Sequence, residues 1–233
     1  VSSVDPVRRL HAALKRFRGV AIVRPVPCPF PETDPLVHLL VESFLLWEAT
    51  TAQAGEALGR LASQVVDYNE MRVCFTEELA AMLGPRYPRV EERCARLRCA
   101  LNDLFKREHG LSLAHLQSPG RKDARGYLDS LDGTPTYVSA RVALLGLGCH
   151  TIPVDGRLVG VLAGAGCCAA TDSCEAVSSW LERQFKPGEG PEAHGLLQAW
   201  SDSQGEASAR KGRAKGTAEP RTRSTRGRAR AKE

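Results

Sequence analysis

The residue with the clearest chemical setting is Asp155, which follows Val154 and precedes the apolar-periodic Leu158, Val159, Val161 and Leu162. That is the N-cap position of a helix, where a side-chain oxygen takes up an otherwise unpaired backbone N–H. In a cleft, the same carboxylate stabilises developing positive charge or activates water. A second candidate lies upstream in Asp132-Gly133-Thr134-Pro135. Gly tolerates positive φ, and Pro fixes its own φ and donates no hydrogen bond, so this tetrapeptide reads as a tight turn. A tight turn between helices either presents backbone N–H groups to a phosphate or serves packing alone.

Other polar residues carry weaker signals. Glu42 interrupts an otherwise apolar stretch and reads as an edge residue more readily than as a pocket lining. The eight cysteines, at positions 28, 74, 94, 99, 149, 167, 168 and 174, are too scattered for a disulfide framework and lack CxxC spacing, so they are expected to be thiols with no metal site.

The elements that position these groups read as helices throughout. Asp5-Pro6 with Val7, Leu10, Leu14 and Phe17 predicts a capped amphipathic helix ending near Gly19. Five prolines between positions 20 and 35 predict an extended segment, with Asp34-Pro35 restarting a helix. Leu36 to Trp47 is apolar all round, as in a helix at the centre of a bundle. Thr51–Val65, a start at Thr76 stopped by Gly84-Pro85, and a long helix from Pro88 to Phe105 with Arg and Lys on its outer face come next. A hairpin then joins a helix ending near Leu131 to one through Val138, Val142 and Leu145. Helices from Asp155, over Thr171–Phe185 and over Pro191–Trp200 complete the body. Alternating strand patterns and fixed-period repeats are not evident.

The hairpin Leu131-Asp132-Gly133-Thr134-Pro135-Thr136-Tyr137-Val138-Ser139 and the pair Val154-Asp155, at this separation, resemble the endonuclease III or HhH-GPD superfamily of DNA glycosylases. The likeness extends more weakly back to about Asp34 and forward to about Trp200. It implies an all-α, two-lobed fold with a helix-hairpin-helix motif, and a DNA base-excision glycosylase with Asp155 as the catalytic carboxylate. It also places Gly133, Thr134, Thr136 and Tyr137 at the DNA backbone, and Glu48 where the superfamily inserts a residue into the space left by the extruded base. Four positions depart from the pattern. Asp132 and Pro135 stand where the hairpin has Pro and its second Gly, Glu48 brings a negative charge towards phosphates, and Tyr137 replaces the lysine that forms a Schiff base in lyase members. A monofunctional hydrolase is therefore expected, with a catalytically inactive helix-hairpin-helix DNA-binding protein as the alternative. With no cysteine after Cys174, the superfamily's iron-sulfur cluster is expected to be absent.

Composition supplies the remaining expectations. In a chain of 233 residues, 42% hydrophobic and 6% aromatic, the core must be built mainly from Leu, Val and Ala. From Ser201 onward ten Lys or Arg face four Asp or Glu, so this segment carries +6 of the formal +5 and the rest about −1. Residues 201–233 are predicted to be a disordered basic tail, because they lack periodic apolar residues to offset ordering entropy. Such a tail attracts nucleic acid without regard to sequence. The organisation expected is an N-terminal helix and Pro-rich segment over 1–33, a helical domain over 34–200 and the tail. The partner is double-stranded DNA and no membrane, and the protein is expected to be a cytoplasmic monomer, nucleoid-associated in a bacterium.

Overall fold

A computed structural model describes residues 5–19, 26–118 and 121–216, and its regular elements are all helical. In chain order they are α1 (Pro6–Leu14, continued by a 3-10 turn at Lys15–Phe17), α2 (Pro35–Leu46), α3 (Thr51–Ala62), α4 (Tyr68–Val73), α5 (Thr76–Leu83) and α6 (Val90–Glu108). A 3-10 turn at Ala114–Gln117 leads to α7 (Arg121–Ser130), α8 (Thr136–Leu147), α9 (Gly156–Gly164), α10 (Cys174–Glu182) and α11 (Gly190–Gly216).

Capping chemistry sets several boundaries. Asp34 accepts the Leu36 N–H at 2.8 Å ahead of Pro35, and its second oxygen takes the Ser112 hydroxyl and the Leu113 N–H, tying the start of α2 to the segment after α6. Thr50 and Gln53 form a reciprocal capping box at α3. Gly148, at φ 64°, ends α8 in the left-handed conformation that glycine adopts without strain.

Two apolar clusters define two lobes. The larger surrounds α2, whose residues from Leu36 to Leu46 are all buried, and draws on α3, α5, α6 and α8. Truncating a residue such as the fully buried Phe44 to Ala is expected to cost about 3–5 kcal/mol. The second cluster joins Leu10 and Leu14 of α1 to Leu158, Val159 and Leu162 of α9, Val177 and Leu181 of α10, and Leu197 and Trp200 of α11. The N-terminal helix thus forms part of the second lobe's core.

Three details depart from the sequence reading. Glu42 is not an edge residue. It is 5% exposed, pairs with the equally buried Arg141 (Nη1 to Oε2, 3.2 Å) and accepts the Val26 N–H, because a partner 99 residues away supplies the charge that makes its burial tolerable. Arg93 turns inward from the expected outer face of α6 and donates to the carbonyls of Phe44, Leu45 and Pro88. The boundary expected at Ser201 falls inside α11, where Ser201 is buried and the Asp202 carboxylate accepts from Thr51 and Gln198. Residues 217–233, the remainder of the expected tail, lie outside the described residues.

Candidate active site

The hairpin turn is anchored from below. Gly133 sits at φ 77°, and a Cβ there would lie 2.9 Å from the Arg96 carbonyl oxygen and 3.1 Å from Cys99 Cβ, so both conformation and the close approach of α6 require glycine. The Asp132 N–H donates to Asp103 and the Thr134 N–H to the Leu131 carbonyl. The Thr136 and Tyr137 N–H groups, in the first turn of α8, have no acceptor among the described residues. Pro135 caps that helix without a side-chain bond. The Thr134 hydroxyl is likewise a buried oxygen without a hydrogen-bond partner among them. Thr136 is exposed, and its hydroxyl donates to Glu175 at the start of α10.

Tyr137 departs from its expected place at the DNA surface. The side chain is 3% exposed, its hydroxyl donates to Gln198 of α11 at 3.4 Å, and its ring meets His194 edge-on. Only its backbone belongs to the hairpin. An aromatic ring at the start of α8 gains more from burial between the lobes than a lysine at the same position would. Burial pushes the Tyr137 phenol up and the His194 imidazole down to about 3, the latter helped by the charge of Arg141.

Asp155 is the N-cap of α9. Oδ1 accepts the Leu158 N–H and Oδ2 accepts the Glu48 N–H, each at 2.9 Å. Glu48 returns the contact, its Oε1 accepting the Gly156 N–H at 2.9 Å, with Arg89 3.7 Å from the same oxygen. The bend between α2 and α3 and the start of α9 therefore clasp each other through two carboxylates. Two backbone features permit this. Glu48 adopts φ 57°, costly for a side-chain-bearing residue, and a Cβ on Gly156 would meet Glu48 Oε1 at 2.9 Å. Asp155 is 5% exposed. Burial raises its carboxyl above the ordinary value and outweighs the lowering by the Leu158 N–H; the Glu48 carboxylate adds to the rise, while the Glu48 N–H and Arg157 oppose it. A helix N-terminus favours the ionised form of an acid, but here desolvation outweighs it.

Around the clasp runs a network that sequence reasoning missed. Arg157 donates to the Ala49 carbonyl and pairs with Asp202 at 3.3 Å, and Asp202 also accepts from Gln198 Nε2 at 3.0 Å and the Thr51 N–H at 3.2 Å. The starts of α3 and α9 are thus pinned to α11. The i, i+4 spacing of Gln198 and Asp202 was the available signal that α11 continues past Trp200.

Between the hairpin and Val154 lies a hollow of about 150 Å3, bounded by Thr136, Ala140, Val154, Cys174 and Glu175. It is smaller than the roughly 300 Å3 at which ligand pockets begin. The structure therefore brings Asp155 and Glu48 into contact and sets Thr136 beside Val154, while Gly133 and Thr134 serve the turn against α6.

This all-helical arrangement around two apolar clusters is the fold of the helical DNA glycosylases. Solved structures bear this out. A trapped endonuclease III–DNA covalent intermediate is similar at TM-score 0.58 and 18% identity, covering 82% of each chain. A thermostable thymine-DNA glycosylase is similar at 0.55 and 17%, covering 84% of this chain and 86% of that one. MBOgg1 in complex with a low-affinity DNA ligand is similar at 0.60 and 18%, covering 86% and 68%. No family model matches the sequence, and no curated protein matches it significantly.

Proposed function

We propose that the chain is a monofunctional DNA base-excision glycosylase that hydrolyses the N-glycosidic bond of a damaged or mismatched base in double-stranded DNA. The observation that carries this reading is the pair of carboxylates, Asp155 and Glu48, held at the mouth of α9 between the lobes of a fold shared with DNA glycosylases. A buried carboxylate close to the sugar is what cleavage of its bond to the base uses, and Glu48 is the residue that covers it. As the bond from C1′ to the base nitrogen breaks, its electron pair leaves with the base and the sugar becomes cation-like. The ionised Asp155 stabilises that charge and takes a proton from the water whose oxygen joins C1′. Glu48 must first release Gly156, which opens the way for an extruded base.

Tyr137 offers no amine at the hairpin, so this chemistry includes no imine and no β-elimination. The free N–H groups of Thr136 and Tyr137 and the hydroxyl of Thr136 are the proposed grip on a phosphate, with Gly133 and Thr134 shaping the turn. The reading involves no iron-sulfur cluster or other metal, in keeping with the lack of cysteine beyond Cys174. It takes the protein to act as a monomer in the cytoplasm or on the nucleoid, and no described helix is long and apolar enough to cross a membrane.

A second reading, a DNA-binding protein without catalysis, draws on the engagement of both Asp155 oxygens and their burial behind Glu48. Excision assays on duplexes bearing uracil, oxidised pyrimidines, mismatched adenine or alkylated purines separate the two. Release of a base by the wild type and not by Asp155→Asn supports the glycosylase. Duplex binding with no release supports the second reading, and failure to bind duplex DNA refutes both.

A further inference from the structure

On the exposed face of α9, away from the residues its core-facing side buries, α1, α9 and α11 border an open hollow of about 720 Å3. That is the size of a site for a nucleotide-sized ligand. Its described lining residues include Arg9, Arg16 and Arg157 and no acid, whereas the hollows beside α4 and along α5–α6 are lined by Glu32 and Asp67 and by Glu77, Glu91 and Glu92. Arg157 is engaged by Asp202, but Arg9 and Arg16 have no ion-pair partner among the described residues. Two guanidiniums with no ion pair among the described residues, on a body close to neutral, favour an anion. They belong to a wholly basic element, since residues 6–19 contain Arg8, Arg9, Lys15, Arg16 and Arg18 and no acid.

The remaining walls add a second requirement. Phe17 lines the cavity and is stacked on Trp200 behind it, with ring centroids 6.4 Å apart at 30°. Gly160 and Gly164 expose bare backbone along α9, with nothing within 4 Å of the Cβ either one lacks. A flat, partly apolar group can therefore lie between the aromatic wall and the helix while an attached phosphate meets the guanidiniums.

We propose that this cavity is a nucleotide-binding site, separate from the Asp155–Glu48 clasp, that takes a nucleoside phosphate with its phosphate on Arg9 and Arg16 and its base against Phe17. The same chemistry is offered by a free mononucleotide and by a nucleotide within a single strand. Binding here does not depend on base excision, so the two proposals stand or fall separately.

The test uses the full chain at low salt. Deoxyadenosine monophosphate, inorganic pyrophosphate and a short single-stranded oligodeoxynucleotide are titrated calorimetrically into wild type and Arg9→Ala/Arg16→Ala. The expected result is saturable binding of the mononucleotide or the oligonucleotide, weakened roughly tenfold or more in the double variant. Binding of the mononucleotide places the source in the free pool, and binding of the oligonucleotide alone places it in a strand. Pyrophosphate binding as tightly as either overturns the proposal, as does nucleotide affinity unchanged in the variant or no saturable binding at all. Should the double variant melt early, Arg16→Glu, an exposed position, decides by the same comparison.

Discussion

Two carboxylates are buried between the helices among the described residues, and they are buried differently. Glu42 faces a guanidinium, Arg141, and also accepts a backbone N–H, so its charge is matched on the spot. Asp155 faces two backbone N–H groups and lies beside a second acid, Glu48, with Arg157 the opposing cation. The first arrangement gives a buried carboxylate a guanidinium and a backbone donor as direct partners. The second leaves the acid above its ordinary pKa and next to a residue in a strained conformation, which fits the catalytic role proposed for it. A buried acid is thus placed by its partners, and burial alone does not distinguish the two.

The sharpest way to break this comparison is to neutralise each acid's side of it. Asp155→Asn is expected to lower the rate of base release about 10²- to 10⁴-fold, while urea unfolding reports a loss of only about 1–2 kcal/mol, because Asn still caps α9 but its amide nitrogen no longer accepts the Glu48 N–H. Equal release by variant and wild type would remove Asp155 from the chemistry. Arg141→Met leaves Glu42 buried without its cation and is expected to cost about 3–5 kcal/mol of stability; a loss below about 1 kcal/mol would show the pair to be dispensable.

Smaller effects sharpen the contrast. Glu48→Gln keeps the acceptor for the Gly156 N–H but removes a negative charge, so duplex affinity should rise about two- to fivefold at low salt in a binding titration. The same change should move the acid limb of the rate profile towards lower pH. In the proposed mechanism Asp155 must lose its proton to work, and its pKa is raised by burial first and by Glu48 in addition. A limb unmoved by the substitution would uncouple the two acids.

A separate prediction, spread over several pH units, concerns His194. Its folded pKa, about 3, lies below the ordinary value of 6.5, so below pH 6.5 the unfolded chain takes up a proton that the folded one refuses. Stability should therefore fall as pH drops from about 6.5 towards 3, by up to about 1.4 kcal/mol per pH unit from this group. His194→Gln should flatten that slope in urea titrations run at several pH values. An unchanged slope would assign the acid sensitivity elsewhere.

The helices were legible where a local signal marks them. Asp34-Pro35, Thr50 with Gln53, and Asp155 before Leu158 each begin a helix through contacts within a few residues, and Gly148 ends one. The short α4 went unseen because six residues hold too little periodicity, although its cap, Asp67, is of a usual type. Asp202 was assigned to the basic segment because composition averages over a stretch, whereas its role depends on Thr51, Gln198 and Arg157 at once.

The sequence by itself determined the helical class, the hairpin turn and the capping position of Asp155, since each follows from residues near one another along the chain. Tertiary structure alone decided that Glu48 reaches Gly156, that Tyr137 turns inward to Gln198, and that Arg141 comes to Glu42. Those outcomes depend on desolvation and on partners about 60 to 110 residues distant. Local propensity carries no record of either.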